Sequence, residues 1–125
     1  MPMMKKEFRD RWYQACTDGS YYRARGKLAT RDEKRRCCLG VAHAIALEMG
    51  LFKPAVPSMY RGVWASARPA DSIIGFSFLN DIELAAIGLS DQYDFAHAND
   101  QNEPGPGEYY PAKVLELIRN HPVAE

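Results

Sequence analysis

The run Leu39-Gly40-Val41-Ala42-His43-Ala44-Ile45-Ala46-Leu47-Glu48-Met49 is apolar on nearly every side of a helix, and Gly50 follows it. A helix without a broad polar face must be buried. Gly50 stands where a left-handed residue closes a helix. The chain is therefore expected to build itself around this element. At 125 residues, 46% of them hydrophobic and 26% charged, residues 1–125 read as a single globular domain. That length buries about two thirds of the unfolded surface without staples.

The other elements follow from spacing and stop signals. Phe8, Trp12, Ala15 and Cys16 recur at helical intervals, so Lys5 to Asp18 reads as an amphipathic helix halted by Gly19. Tyr21 to Leu28 alternates aromatic or aliphatic residues with bases and reads as extended chain, half of a hairpin. Pro54, Pro57, Gly62 and Pro69 make 53–71 a long connection with short strands at most. Val63-Trp64 and Ile73-Ile74-Gly75-Phe76 are its β candidates. Asn80 with Glu83 forms a variant capping box for a short helix ending at Gly88. Ser90 is placed to cap the next helix, Asp91 to Ala98, and Gln101 to Gly107 reads as an exposed loop. Pro111 suits the first turn of a last helix that turns Val114, Leu115 and Ile118 inward. The predicted class is α+β: helix-rich, a central buried helix, and a small antiparallel sheet joining Tyr21–Leu28 to the 62–76 region.

The formal net charge is zero, but its distribution is not. Residues 1–70 hold fourteen Lys and Arg against six Asp and Glu, a net +8; residues 71–125 hold two against ten, a net −8. The segment 23–36 alone is +5. Such asymmetry either steers a charged partner or holds the two halves together, and self-neutralisation is the simpler account. No apolar run approaches the ~20 residues that span a bilayer, and the start of the chain is polar and basic rather than a signal core. Three unpaired cysteines argue against a disulfide framework. These features suggest a cytoplasmic protein without membrane attachment.

Cys37 and Cys38 sit at the entrance to the apolar helix, behind Arg31–Arg36. A helix N-terminus and nearby arginines both lower a thiol pKa, so either cysteine is a candidate nucleophile, as in a hydrolase or transferase. Of His43, His97 and His121, His97 is the best placed base, because Asn99 or Asp100 stands ready to orient its ring. Against this, cysteine is among the most buried residue types, and adjacent cysteines serve well as small core fillers. Packing is the favoured reading. The spacing suits neither a metal site nor a cofactor-binding motif. Tyr21, Tyr22, Arg23, Arg25 and Lys27, with Arg35 and Arg36, form a basic aromatic patch suited to a protein interface, a small anion or nucleic acid.

Several strings together resemble a family of small phage and prophage proteins: Trp12, Gly19-Ser20-Tyr21, Gly26-Lys27-Leu28, Cys37-Cys38-Leu39-Gly40-Val41, Ile87-Gly88-Leu89, Phe95 to Asp100, and Tyr110 to Ile118. They cover most of the chain outside about 50–78, and Cys37 to Val41 is the specific part. His97 departs from the pattern, as does the length of the Gln101–Glu108 loop. The resemblance implies an accessory protein of a mobile element, acting in the bacterial cytoplasm. Such a protein acts by binding, for example as a host-defence inhibitor of the anti-CRISPR kind. The expected partner is a host protein or a small anionic ligand.

Overall fold

The computed structural model describes residues 3–24, 27–30, 35–51, 58–60, 63–65, 77–89, 91–100 and 110–124, with 58–60 and 63–65 described by their backbone pairing. Helix α1 is Lys6–Thr17, α2 is Cys38–Glu48, α3 is Asp81–Ile87, α4 is Gln92–Asn99 and α5 is Ala112–Arg119. Strands β1 (Tyr22–Arg23), β2 (Arg35–Arg36), β3 (Ser58–Tyr60) and β4 (Val63–Ala65) are short. The fold is helix-rich α+β.

Helix α2 is the hub. From Cys38 to Ala46 only Ala44 escapes full burial, as a sequence without a polar face requires. It ends in a Schellman motif: Gly50 has φ +69°, its N–H donates to Leu47 O, and Leu51 N–H donates to Ala46 O. Helix α1 packs Phe8, Trp12, Ala15 and Cys16 inward. Its Trp12 stacks on Phe95 of α4 at 5.1 Å and donates from Nε1 to Cys38 O at 2.8 Å. Helix α5 closes the core with Val114 and Ile118. The segment before α1 meets the segment after α5 where Ala124 N–H donates to Met4 O.

Helix α3 begins at the expected capping box, Asn80 Oδ1 accepting from Glu83 N–H while Glu83 Oε1 accepts from Asn80 N–H. The other Glu83 oxygen lies 3.0 Å from His43 Nε2, and both side chains are fully buried. His43 is thus a core histidine tying α2 to α3.

The sheet departs from expectation. β1 pairs with β2, in parallel, with Tyr22 beside Arg35 and Arg23 beside Arg36. β4 pairs antiparallel with β3, not with the segment around Tyr21. Among the described residues of 21–28, Tyr22–Arg23 alone is strand, and Ala29 makes an isolated antiparallel bridge to Arg36. A polar knot explains the parallel register. Arg36 O accepts from Ala24 N–H and from the Tyr110 hydroxyl, so β2 is fixed beside β1 from both sides. Ile73 to Phe76, Ser90, residues 31–34 and residues 101–109 lie outside the described residues.

Gly40 sets how closely this knot approaches α2. A Cβ there would lie 1.8 Å from Leu28 O, so no side chain fits.

Candidate functional site

Cys37 occupies the N-cap of α2 with extended backbone, and Cys38 begins the first turn. The amide of Cys38 donates to Asn99 Oδ1 at 2.9 Å, so a side chain from the end of α4 caps a different helix. Asn99 Nδ2 in turn donates to Ala24 O at 2.8 Å and to Asp100 Oδ1 at 3.0 Å. Sequence position suggests that Asn99 serves its own turn or orients His97. Its actual role, bridging three segments, has no local signal, because its partners are 61 and 75 residues away.

Both thiols face inward: Cys37 is 3% exposed and Cys38 is 0%. Burial pushes the Cys37 thiol up to about 11, against the lowering influence of the Gly40 and Leu39 amides. Arg36 also lowers it, by less than those amides do, so both expected activating influences are present and both lose to desolvation. Burial likewise raises Cys38 well above the ordinary thiol range, and raises Cys16. The Cys38 sulfur lies 3.5 Å from Phe95 O, in hydrogen-bonding contact with the backbone of α4.

A pocket of about 170 Å³ reaches Cys37 from outside, walled by Lys27, Ser77, Phe78, Ala96 and Asp100. None of these is an imidazole. His97 is on the exposed side of α4 and does not line this pocket, and His43 is engaged with Glu83. The Cys37, Cys38 and His97 constellation is therefore not assembled as a base beside an ionised thiol.

The basic aromatic patch is split by the pleat of the ladder. Strand side chains alternate between faces, and the parallel register places like-facing residues side by side. Arg23 and Arg36, 3% and 4% exposed, turn inward. Arg23 donates to Asn99 O at 2.9 Å and Arg36 to Gly40 O at 3.2 Å. They tie backbone carbonyls of the core and are not available to meet a partner, which corrects their assignment to a binding surface.

Tyr22 and Arg35 face outward. Tyr22 is 47% exposed, with the Arg35 guanidinium 5.9 Å above its ring. Lys27 is also exposed. Tyr21 is half-buried with Arg36 5.7 Å from its ring, and burial raises its hydroxyl pKa, Arg36 opposing. Arg25 lies outside the described residues. Of the six expected binding residues that are described, Tyr22, Lys27 and Arg35 are exposed and Tyr21 is half-buried. Tyr110, whose hydroxyl donates to Arg36 O at 2.7 Å, is a core tie that the sequence does not single out.

Among the described residues no group of three His, Cys, Asp or Glu side chains is arranged to hold a metal ion. No described helix is long and apolar enough to cross a membrane. No family model, curated protein or solved structure matches the chain.

Proposed function

We propose that this chain is a non-enzymatic binding protein that meets a host protein or a small anionic ligand through Tyr22, Lys27 and Arg35. The observation that carries this reading is the outward pair on the ladder: an exposed tyrosine held under an arginine whose charge remains at the surface. Tyr and Arg are the residues that dominate interface energetics, because each offers a broad contact area with a polar head. The buried thiols favour binding over nucleophilic catalysis, since a thiol held up to about 11 is almost entirely protonated at neutral pH. The resemblance of Cys37 to Val41 to phage proteins supports a role against a host component in the bacterial cytoplasm.

The test compares wild type with the Tyr22→Ala, Arg35→Ala double variant in a quantitative pull-down from bacterial cytosol, analysing bound proteins and bound small molecules. A species enriched by wild type and lost by the variant, at unchanged thermal stability, is the expected result. Equal enrichment by both proteins would overturn the assignment of this surface. Binding of DNA or RNA probes that weakens steeply with salt and is lost in the variant would replace the protein or small-anion partner with nucleic acid.

A further inference from the structure

The pocket that reaches Cys37 gathers positive influences from three directions. The first is the N-terminus of α2, an 11-residue helix whose N-cap residue is the pocket floor. The Leu39 and Gly40 amides lie toward the Cys37 sulfur and lower its pKa, yet this side chain closes no cap hydrogen bond. The second is the thiol itself. Cys37 is 3% exposed, burial holds it protonated, and its S–H has no acceptor among the described residues. The third is Lys27, exposed on the rim and without an ion pair among the described residues. A buried donor at a helix N-terminus calls for an acceptor, and an anion meets that call best.

The rest of the lining limits which anion fits. Asp100 is on the wall, where it accepts from Asn99 Nδ2 at 3.0 Å. Its charge offsets part of the positive field, so the site favours one negative charge over two. Phe78 and Ala96 supply apolar wall. Phe78 is 42% exposed and meets the exposed Tyr93 ring at 5.0 Å, so an aromatic pair borders the opening. Contiguous exposed apolar surface of this kind marks binding sites. The volume is about 170 Å³. A cavity of about 150 Å³ takes a benzene ring.

We propose that this pocket binds a small carboxylic acid with an apolar body, its ring or branched chain against Phe78 and Ala96 and its carboxylate between Lys27 and Cys37. Such an acid is a monoanion at neutral pH. The proposal rests on the binding reading above in assigning Lys27 to a ligand. It uses neither Tyr22 nor Arg35, which do not line the pocket.

The probe is phenylacetate, titrated into the full chain by ¹H–¹⁵N NMR. Saturable shifts centred on 27, 37–40, 77–78, 96 and 100 are expected. Phenylacetamide, the neutral isostere, and inorganic phosphate, which lacks the apolar body, should each bind more weakly. Lys27→Met should weaken phenylacetate about tenfold, as loss of a charge-assisted contact implies. Lys27 is solvent-exposed, so the fold should persist. Ala96→Leu fills the pocket without changing charge and should abolish the response at unchanged thermal stability. Tyr22→Ala with Arg35→Ala should leave the titration as it was, so failure here and failure of the ladder surface are separate results. N-acetyl-phenylalanine distinguishes the source: tighter binding than phenylacetate assigns the carboxylate to a protein chain end, weaker binding to a free acid, and either keeps the class. Equal response to phenylacetamide, non-saturating shifts, or binding unaltered by Lys27→Met would each overturn the proposal.

Discussion

Asn99 and Asp94 lie five residues apart on α4, yet their side chains obey opposite rules. Asn99 is fully buried, and both ends of its amide are used: it accepts from Cys38 N–H and donates to Ala24 O and Asp100. Asp94 is exposed and has no ion-pair partner among the described residues. Water satisfies an exposed carboxylate at little cost, whereas a buried amide must find protein partners or destabilise the fold. The difference separates structure from availability. Polar groups around the first turn of α2 are tied to each other, so that region holds the fold. Asp94, on the outer side of α4, faces water instead.

The sharpest way to break this contrast is at the close approach beneath the knot. Gly40→Ala places a methyl group against the Leu28 carbonyl, where the contacting atoms are backbone and cannot swing aside. Overpacking of this kind costs about 3 kcal/mol or more, so the variant should show loss of cooperative folding or a large fall in urea midpoint. A stable Gly40→Ala protein would mean that α2 and the 27–30 segment are not in contact.

Next in size is the bridge itself. Asn99→Ala leaves the Cys38 amide and the Ala24 carbonyl buried without their side-chain partner. Two such losses amount to about 3 kcal/mol in denaturant unfolding. Asp94→Asn, by contrast, should change stability by less than about 0.5 kcal/mol. Similar effects from the two substitutions would erase the distinction between the two regions.

The pH dependence sharpens the same point. The Cys37 thiol is held at about 11 in the folded chain against an ordinary 9.0. A group whose folded pKa is raised stabilises fully below its unfolded pKa, and that contribution is lost as pH rises through the folded value. Holding this thiol protonated so far above its ordinary range contributes about 3 kcal/mol, lost progressively between pH 9 and 11. Cys16, Cys38 and Tyr110 are raised in the same direction by burial and steepen the fall. Urea unfolding at pH 7.5, 9, 10 and 11 checks this, and Cys37→Ala should flatten part of the slope. Stability that holds level to pH 11 would place the thiol in water.

The outer ladder should give the smallest effect on stability. Arg35→Ala removes an exposed guanidinium and should shift stability by less than about 0.5 kcal/mol. Arg23→Ala removes the donor to a buried carbonyl, Asn99 O, and should cost about 2 kcal/mol. The two arginines, alike in sequence, differ by which face of a two-residue strand they occupy.

That pair also shows where sequence reasoning stops. Local signals are legible: the all-round apolar α2, the Gly50 stop, the Asn80–Glu83 box and the amphipathic spacing of α1 all describe interactions within a few residues. The ladder is not, because its parallel register depends on Tyr110 and Asn99, more than sixty residues away from the strands they hold. Without the register, Arg23 and Arg36 look like any other basic residues, and their inward turn is invisible. The thiols pose a similar problem. Arg36 and the helix amides pull the Cys37 pKa down as sequence position suggests, but burial outweighs them, and burial is a tertiary quantity. The pocket at Cys37 has no sequence signal because Lys27, Phe78 and Ala96 reach it from three separate segments.

Native-state alkylation tests the central claim, that the Cys37-Cys38 step is the packed entrance to the core. Iodoacetamide at pH 7.5, followed by mass spectrometry of each cysteine, should label Cys37 and Cys38 more than about 100-fold slower than free cysteine, with full reaction once urea unfolds the chain. Labelling of Cys37 in the folded protein at or above the free-cysteine rate would contradict the account and return the site to nucleophilic chemistry.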